Sequence, residues 1–283
     1  MTDATARALS IPVGRIFLKI RKRQRGASQY TRLVHQNFFV DVIEHGLVFR
    51  TNLSDYLDTG LFLDKRKLRL LIRQSATKVA TKVAAKAPAK AAALAGAKRS
   101  CAQVLNLFCY TAAFSLYAAT AEGWTEVDSV DISNTYLDWA KVNFALNGLQ
   151  AEMLPQEAFF SPSSALPPFR LIRADALRFL NEAVKRGRTW DIIILDPPVF
   201  SNSKKMFSDF DLNRDYQGLI ATCLSLLNPG GALYFSTNAR RFTLAGEWLE
   251  NRFTFRDITE QARDDDFRGK KVPGCWVFED APC

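Results

Sequence analysis

From residue 104 onward, short apolar runs alternate with amphipathic stretches, and that alternation predicts most of the architecture. The runs 104–108, 126–131, 169–174, 190–196 and 232–238 read as strands of five to seven residues, most of them largely apolar and 126–131 alternating valine with polar residues. Between them, 114–121, 133–146, 176–185 and 212–227 carry helical periodicity, with Ser133 suited to cap the second of these. Asn228-Pro229-Gly230-Gly231 reads as a turn. The end predicts a helix over 243–250 and strands over 252–258 and 275–279. Strict β/α alternation points to an α/β fold with an open, mostly parallel sheet, and two late strands close in sequence point to one antiparallel edge strand. The stretch 150–168, rich in Pro, Ser and Phe, reads as a loop.

The first hundred residues differ in kind. A short strand is expected over 15–20, and a hairpin over 38–44 and 47–52 with His45-Gly46 at its turn. A loop over 55–66 then leads into a basic helix. From 74 to 98 the chain is Ala/Lys low complexity interrupted by Pro88, with little to bury. The expected organisation is therefore a small N-terminal α+β appendage over 1–73, a mobile insert over 74–100, and the α/β domain over 101–283.

The run Ile192-Ile193-Ile194-Leu195 passes straight into Asp196-Pro197-Pro198-Val199-Phe200. Proline lacks an N–H and biases its predecessor toward extended backbone, so a carboxylate, two carbonyls and an aromatic ring should project past the sheet edge. In open α/β sheets ligands bind at the carboxyl ends of strands. Asp131 and Asp175 end two other predicted strands, so three acids should line one crevice. The competing role for each is to cap the helix that follows. Asp131 lies 20 residues beyond Thr111, a spacing that suits an acid accepting from ribose hydroxyls. A nucleoside cofactor fits: Asp131 on the ribose, Asp175 on an adenine amino group, and the loop 109–113 around an amino-acid end. Nicotinamide dinucleotides are disfavoured because 108–113 holds no glycine, and no P-loop pattern occurs.

Charge adds a partner. The net +9 is uneven, since residues 1–100 hold 20 Lys and Arg against 6 Asp and Glu, whereas the remainder holds 18 against 23. A basic arm on a mildly acidic domain suits phosphate neutralisation. Arg21, Lys22, Arg23 and Arg25, with Tyr30 nearby, offer phosphate contacts and a stacking ring for RNA. A polar, basic loop with Asn202, Lys204 and Lys205 follows the Pro-Pro motif. Five scattered cysteines without a CxxC pair, and two histidines, argue for reduced thiols and no metal site. The chain start has no apolar export segment and no stretch suits a membrane span, so a cytoplasmic location is expected.

The segments 104–111, 131–133, 196–204 and 236–242 together resemble class I S-adenosylmethionine-dependent RNA methyltransferases. Tyr56-Leu57-Asp58-Thr59-Gly60-Leu61-Phe62-Leu63-Asp64 and the basic run 21–26 narrow the resemblance to the K half of the bacterial 23S ribosomal RNA guanine methyltransferase K/L. It extends from about Arg15 to Phe278 and implies a Rossmann-like sheet. It also implies cofactor contacts from Asn106, Phe108, Tyr110, Thr111, Ala112, Asp131, Ile132, Asp175 and Ala176, with Asp64 and Arg66 reaching back over the cofactor. Asp196, Pro197, Pro198 and Phe200 would hold the target base, with Arg240 and Arg241 on the RNA. The family usually has glycine where Ala112 stands.

That family adds a methyl group to guanine N7, which carries a lone pair and no proton, so alignment can act without a general base. Its members usually carry a THUMP domain and a second methyltransferase, so this chain is expected to be either a stand-alone relative or one that uses a separate RNA-binding partner. Methylation of an exocyclic amine, with Asp196 and the Pro197 carbonyl accepting its hydrogens, is the alternative reaction. A catalytically idle RNA-binding or assembly protein and a DNA amino-methyltransferase are the other classes.

Overall fold

A computed structural model of the protein describes residues 1–19, 36–86, 101–161, 166–201, 210–239, 242–249 and 252–281. They form two compact units, Met1–Leu61 and Phe62–Cys283.

In the first unit, helix α1 (Thr2–Leu9) and a 3-10 turn (Val13–Arg15) precede an antiparallel hairpin of β1 (Phe39–Glu44) and β2 (Leu47–Asn52). His45 and Gly46 both take positive φ, 49° and 81°, as a two-residue hairpin turn that follows strand twist requires. The expected strand over 15–20 does not form in its described part, where Arg15 closes the 3-10 turn and 16–19 is irregular.

The second unit begins with a 3-10 turn, Leu63–Lys65, and helix α2 (Arg66–Lys86). There follow β3 (Ala102–Leu107), α3 (Ala113–Ala119), β4 (Thr125–Asp131), α4 (Asn134–Leu146), β5 (Glu152–Pro155), α5 (Gln156–Phe159), β6 (Phe169–Arg173), α6 (Ala176–Lys185) and β7 (Trp190–Leu195). Then come β8 (Phe200–Ser201), β9 (Phe210–Asp211), α7 (Leu212–Ser225), β10 (Leu227–Thr237), β11 (Phe253–Asp257), α8 (Thr259–Ala262) and β12 (Gly274–Asp280). No described helix is long and apolar enough to cross a membrane.

Eight strands pair in the order β11-β12-β10-β7-β3-β4-β6-β5, and β12 alone runs against both its neighbours. The reversed strand therefore lies one in from the edge, where a strand at the edge itself was expected. The reason is burial: Cys275 to Phe278 are buried in succession, as an interior strand demands, whereas β11 is mostly exposed or half-buried beyond Phe253. Successive strand residues face opposite layers. Leu105, Leu107, Ile193 and Leu195 pack with α6 and α7, and Val104, Ile192 and Ile194 pack with α2 and α3.

Other expectations change, beginning with 228–231, read as a turn but falling within β10 at a break in register between Leu227 and Ala232. The stretch 150–168 contains a real edge strand and a short helix, β5 and α5, too short to leave a periodic signal. The described part of 243–250 is not helical; Phe242, Leu244, Trp248 and Leu249 pack on the core, and Gly246 lies against Phe255, where a Cβ would come within 2.5 Å of the ring. Most consequentially, α2 runs through position 73 and makes 74–86 an ordered helix. Leu68, Ile72, Ala76 and Ala80, spaced by four, are a buried stripe. Alanine there is a close-packing residue, and Arg73 Nε and Thr77 Oγ bond the backbone of Thr120 and Glu122.

The closest approach is at Gly123, whose φ is +96° and where a Cβ would stand 2.8 Å from that of Ala80. Gly123→Ala combines backbone strain with overpacking and is expected to lower unfolding stability by about 3 kcal/mol, measurable by urea denaturation. A loss below about 1 kcal/mol, the size of a mild Gly→Ala effect, indicates that α2 does not press on this loop.

Candidate active site

Parallel pairing fixes the level at which each strand ends. Leu107 is in register with Leu195 and Val130, Val130 with Ile172, and Leu195 with Phe235. The next residues, Phe108, Asp196, Asp131 and Ser236, therefore lie at one level along the carboxyl edge of the sheet, Asp131 and Ser236 still paired with Arg173 and Cys275.

The loop after β3 is unusual in its backbone. Phe108, Tyr110 and Ala112 all adopt left-handed φ, 54°, 53° and 59°, at about 1–2 kcal/mol for each residue with a Cβ. Four hydrogen bonds hold it there. Cys109 N donates to Val130 O (3.0 Å), Tyr110 N to Asp131 Oδ2 (2.9 Å), Ala112 N to Cys109 O (2.8 Å), and Asn143 Nδ2 to Thr111 O (3.0 Å). Ala112 is the fully buried N-cap of α3. Phe108 packs near Phe210, and Tyr110 meets Tyr136 edge-on at 4.5 Å and Phe62 at 5.4 Å between ring centroids.

Asp131 accepts from Tyr110 N on one oxygen and Ser133 N on the other (both 2.9 Å). Half-buried Ile132 lies between its two donors' segments. Burial lifts the Asp131 carboxyl from 3.8 to about 6, against the pull of the amides of Ser133, Tyr110 and Ile132. Asn106 is fully buried; its Nδ2 donates to Ser115 Oγ (2.8 Å), which also receives Ser129 Oγ (2.7 Å). The Asn106 Oδ1 has no hydrogen-bond partner among the described residues. A buried acceptor beside an aromatic loop and a ribose-spaced acid fits a nucleoside that carries an ammonium. Asp175 caps α6 through Arg178 N (3.0 Å), so its structural role is real, and Ala176 is buried behind it.

At the end of β7, Asp196 is paired through both carboxylate oxygens with the ammonium of Lys65, and Ser236 Oγ donates to Oδ1 (2.7 Å). Lys65 is only 3% exposed and Asp196 16%. Pro197 is buried, Pro198 half-buried, and Phe200 stands 46% exposed. Pairing of β8 with β9, together with a bond from Leu212 N to Val199 O (3.1 Å), fixes the backbone that carries this ring. Asp64 is half-buried, and desolvation raises its carboxyl above the ordinary value, opposed by neighbouring Lys65. Arg66, expected over the cofactor, pairs with Asp264 (3.1 Å) and Asp266 (2.8 Å).

Sequence reasoning missed Lys65, hidden in a basic run, and Ser236, whose signal was its strand register. The expected RNA contacts Arg21, Lys22, Arg23, Arg25, Tyr30, Asn202, Lys204, Lys205, Arg240 and Arg241 lie outside the described residues. Burial pushes the Cys275 thiol up to about 12 and the Cys109 thiol well above its usual value, so neither is poised as a thiolate.

The sheet order, with one reversed strand beside β10, and the strand-end acids define a class I methyltransferase. No protein-family model matches the chain. It is 41% identical over 285 residues to the ribosomal RNA large subunit methyltransferase K/L of Saccharophagus degradans, covering 99% of this chain and 32% of that protein. It is 38% identical over 274 residues to the ribosomal RNA large subunit methyltransferase K of Neisseria meningitidis serogroup B, covering 97% of this chain and 66% of that protein. The chain belongs to this K family, and it spans about a third of the K/L relatives it matches. Among solved structures, SMU.776 complexed with SAH shares the fold at a TM-score of 0.62 and 23% identity, over 87% of this chain and 57% of that one.

The raised Asp131 carboxyl has two pH consequences. The folded chain holds a proton that the unfolded chain has released between 3.8 and about 6, so this group's stabilising contribution is full below that window and is lost as pH rises through about 6. A ribose that donates to Asp131 needs the ionised form. S-adenosylhomocysteine affinity, followed by calorimetry from about pH 8 down to about pH 5, is therefore expected to weaken through about pH 6. Asp131→Asn should flatten that profile and cost about tenfold or more in affinity at the alkaline end. A wild-type profile level across the whole range counts against a ribose on Asp131.

Proposed function

We propose that this chain transfers a methyl group from S-adenosylmethionine to N7 of a guanine in 23S ribosomal RNA, in the cytoplasm. The observation that carries the reading is the neutralised acid at the end of β7. With both Asp196 oxygens on the Lys65 ammonium and a further donor from Ser236, this carboxylate is engaged as a hydrogen-bonding fixture, an arrangement that suits orienting a base. The buried, protonated thiols of Cys109 and Cys275 give no support to a covalent cysteine mechanism of the kind used at cytosine C5. A nucleophile that already has a free lone pair suits such a site, and N7 of guanine is one.

S-adenosylmethionine supplies an activated methyl group on a cationic sulfur. In this reading Asn106 and the loop of Phe108, Tyr110, Thr111 and Ala112 hold its amino-acid end. Asp131 and Ile132 take the ribose, and Asp175 and Ala176 border the adenine. Asp64 contributes negative charge near the cation, while Arg66 braces the segment through Asp264 and Asp266. Pro197 and Pro198 carry carbonyls with no competing N–H of their own, and exposed Phe200 offers a stacking face for the base. The protein's contribution is alignment and exclusion of water, which suits a transfer that needs no proton removed in its rate-limiting step.

Two measurements test this. Mass spectrometry of 23S RNA treated with the protein and labelled cofactor is expected to find the label in 7-methylguanosine. Label in an exocyclic amine or in 5-methylcytosine refutes the assignment. Phe200→Ala should lower kcat/KM for RNA by about 10- to 100-fold, the loss of roughly 1–3 kcal/mol of stacking, with S-adenosylhomocysteine affinity unchanged. Equal loss of both puts Phe200 on the cofactor.

A further inference from the structure

We infer that Lys65 is a positioning residue that couples the cofactor loop to the base-holding motif, an inference that rests on the reading above. Lys65 closes the 3-10 turn Leu63–Lys65, and its ammonium is held by both oxygens of Asp196. The same ammonium lies 5.7 Å from the ring centroid of Phe62. Phe62 is itself fixed twice. Its carbonyl accepts from Arg69 Nη1 (3.0 Å), and its ring lies 5.4 Å from that of Tyr110. Tyr110 N in turn donates to Asp131. One series of contacts thus runs from Asp131 through Tyr110, Phe62 and Lys65 to Asp196 and Ser236, from the acid proposed for the ribose to the acid proposed for the base.

The chemistry of the lysine makes that series stiff. An ammonium removed from water must keep its partner, and loss of either member leaves the other as an uncompensated buried charge. Arg66 and Arg69 tie the same stretch to Asp264, Asp266 and the Phe62 carbonyl, so its other attachments are independent of Asp196. Lys65 is the member that senses the base-holding edge. A group arriving at Asp196 and a group leaving the neighbourhood of Tyr110 act on one short segment, residues 62–66. Occupancy of one half of the site therefore favours the geometry required by the other.

Lys65→Met, Asp196→Asn and the double variant are compared with wild type by S-adenosylhomocysteine calorimetry, thermal unfolding and amide hydrogen exchange. Lys65→Met is expected to weaken S-adenosylhomocysteine by about tenfold or more, within the range of coupling between sites. Exchange should accelerate together at 62–66 and 108–112. The double variant leaves neither charge buried, so it should regain the wild-type melting temperature yet keep the weak binding and fast exchange. If Lys65→Met alone does not fold, the double variant carries the same comparison. Affinity and protection that return with the melting temperature overturn the inference, because the pair is then only structural. Unchanged exchange at 108–112 in the folded Lys65 variants overturns it equally. Should wild type fail to bind S-adenosylhomocysteine while both segments lose protection in Lys65→Met, the cofactor reading falls and the coupling stands.

Discussion

A lysine ammonium with 3% exposure has to be answered by a carboxylate, and the way this chain answers it organises the mouth of the site. The Lys65–Asp196 pair joins the first turn of the second unit to the end of its central strand across 131 residues of sequence. A third group, Ser236, comes from the adjacent strand, where Phe235 pairs with Leu195. Such a pair gains little net stability over apolar packing, because desolvation offsets attraction. What it contributes is geometry, since two oxygens held by one ammonium cannot turn freely toward another partner.

The same logic of imposed geometry governs the loop after β3. Three side-chain-bearing residues in left-handed backbone are an unfavourable arrangement unless the surroundings over-determine it. Here they do: carbonyls of the neighbouring strand and of the loop itself, the Asp131 carboxylate and the Asn143 amide bind its backbone groups. Ala112 fits within that frame, because its methyl group is accommodated in full burial, and the strain is distributed over Phe108, Tyr110 and Ala112 together. The aromatic rings this conformation splays apart, Phe108 toward Phe210 and Tyr110 toward Phe62 and Tyr136, form walls that a glycine-rich loop lacks.

Much of this was legible in the sequence. The parallel strands were, because runs such as Ile192–Leu195 are buried on both faces and leave no polar alternation. The positions of Asp131, Asp175 and Asp196 at or just beyond strand ends were, because each falls where a strand pattern gives way to a helix or a Pro-Pro break. Helix α2 beyond residue 73 was not, since Ala76 and Ala80 look like low-complexity filler until their partner at Gly123 is known. Strand β5 was hidden by its length of four residues and its exposed edge position. Lys65 was indistinguishable from Arg66 and Lys67 beside it, because a helical turn sends each of the three in a different direction. Only the tertiary fold assigns one to Asp196 and another to Asp264 and Asp266.

A second buried ion pair gives the comparison that separates structure from function. Arg170 and Asp128 are direct cross-strand partners on β6 and β4, and Asp128 also accepts from Trp190 Nε1 on β7 (2.8 Å). Glu126 completes the arginine's partners on the same strand (3.0 Å). Arg170 and Asp128 are buried within the sheet layer, 3% and 1% exposed, and their effect is to fix register: a one-residue slip of β6 separates Arg170 from Asp128 and moves Asp175 away from the level of Asp131. The Lys65 pair differs in one respect. Its acid remains 16% exposed and is followed directly by Pro197, Pro198 and an outward Phe200. Two ion pairs built on the same physics thus divide the work. One sets the heights of the strand ends deep in the sheet, and the other holds an acid in a defined orientation where a ligand can reach it.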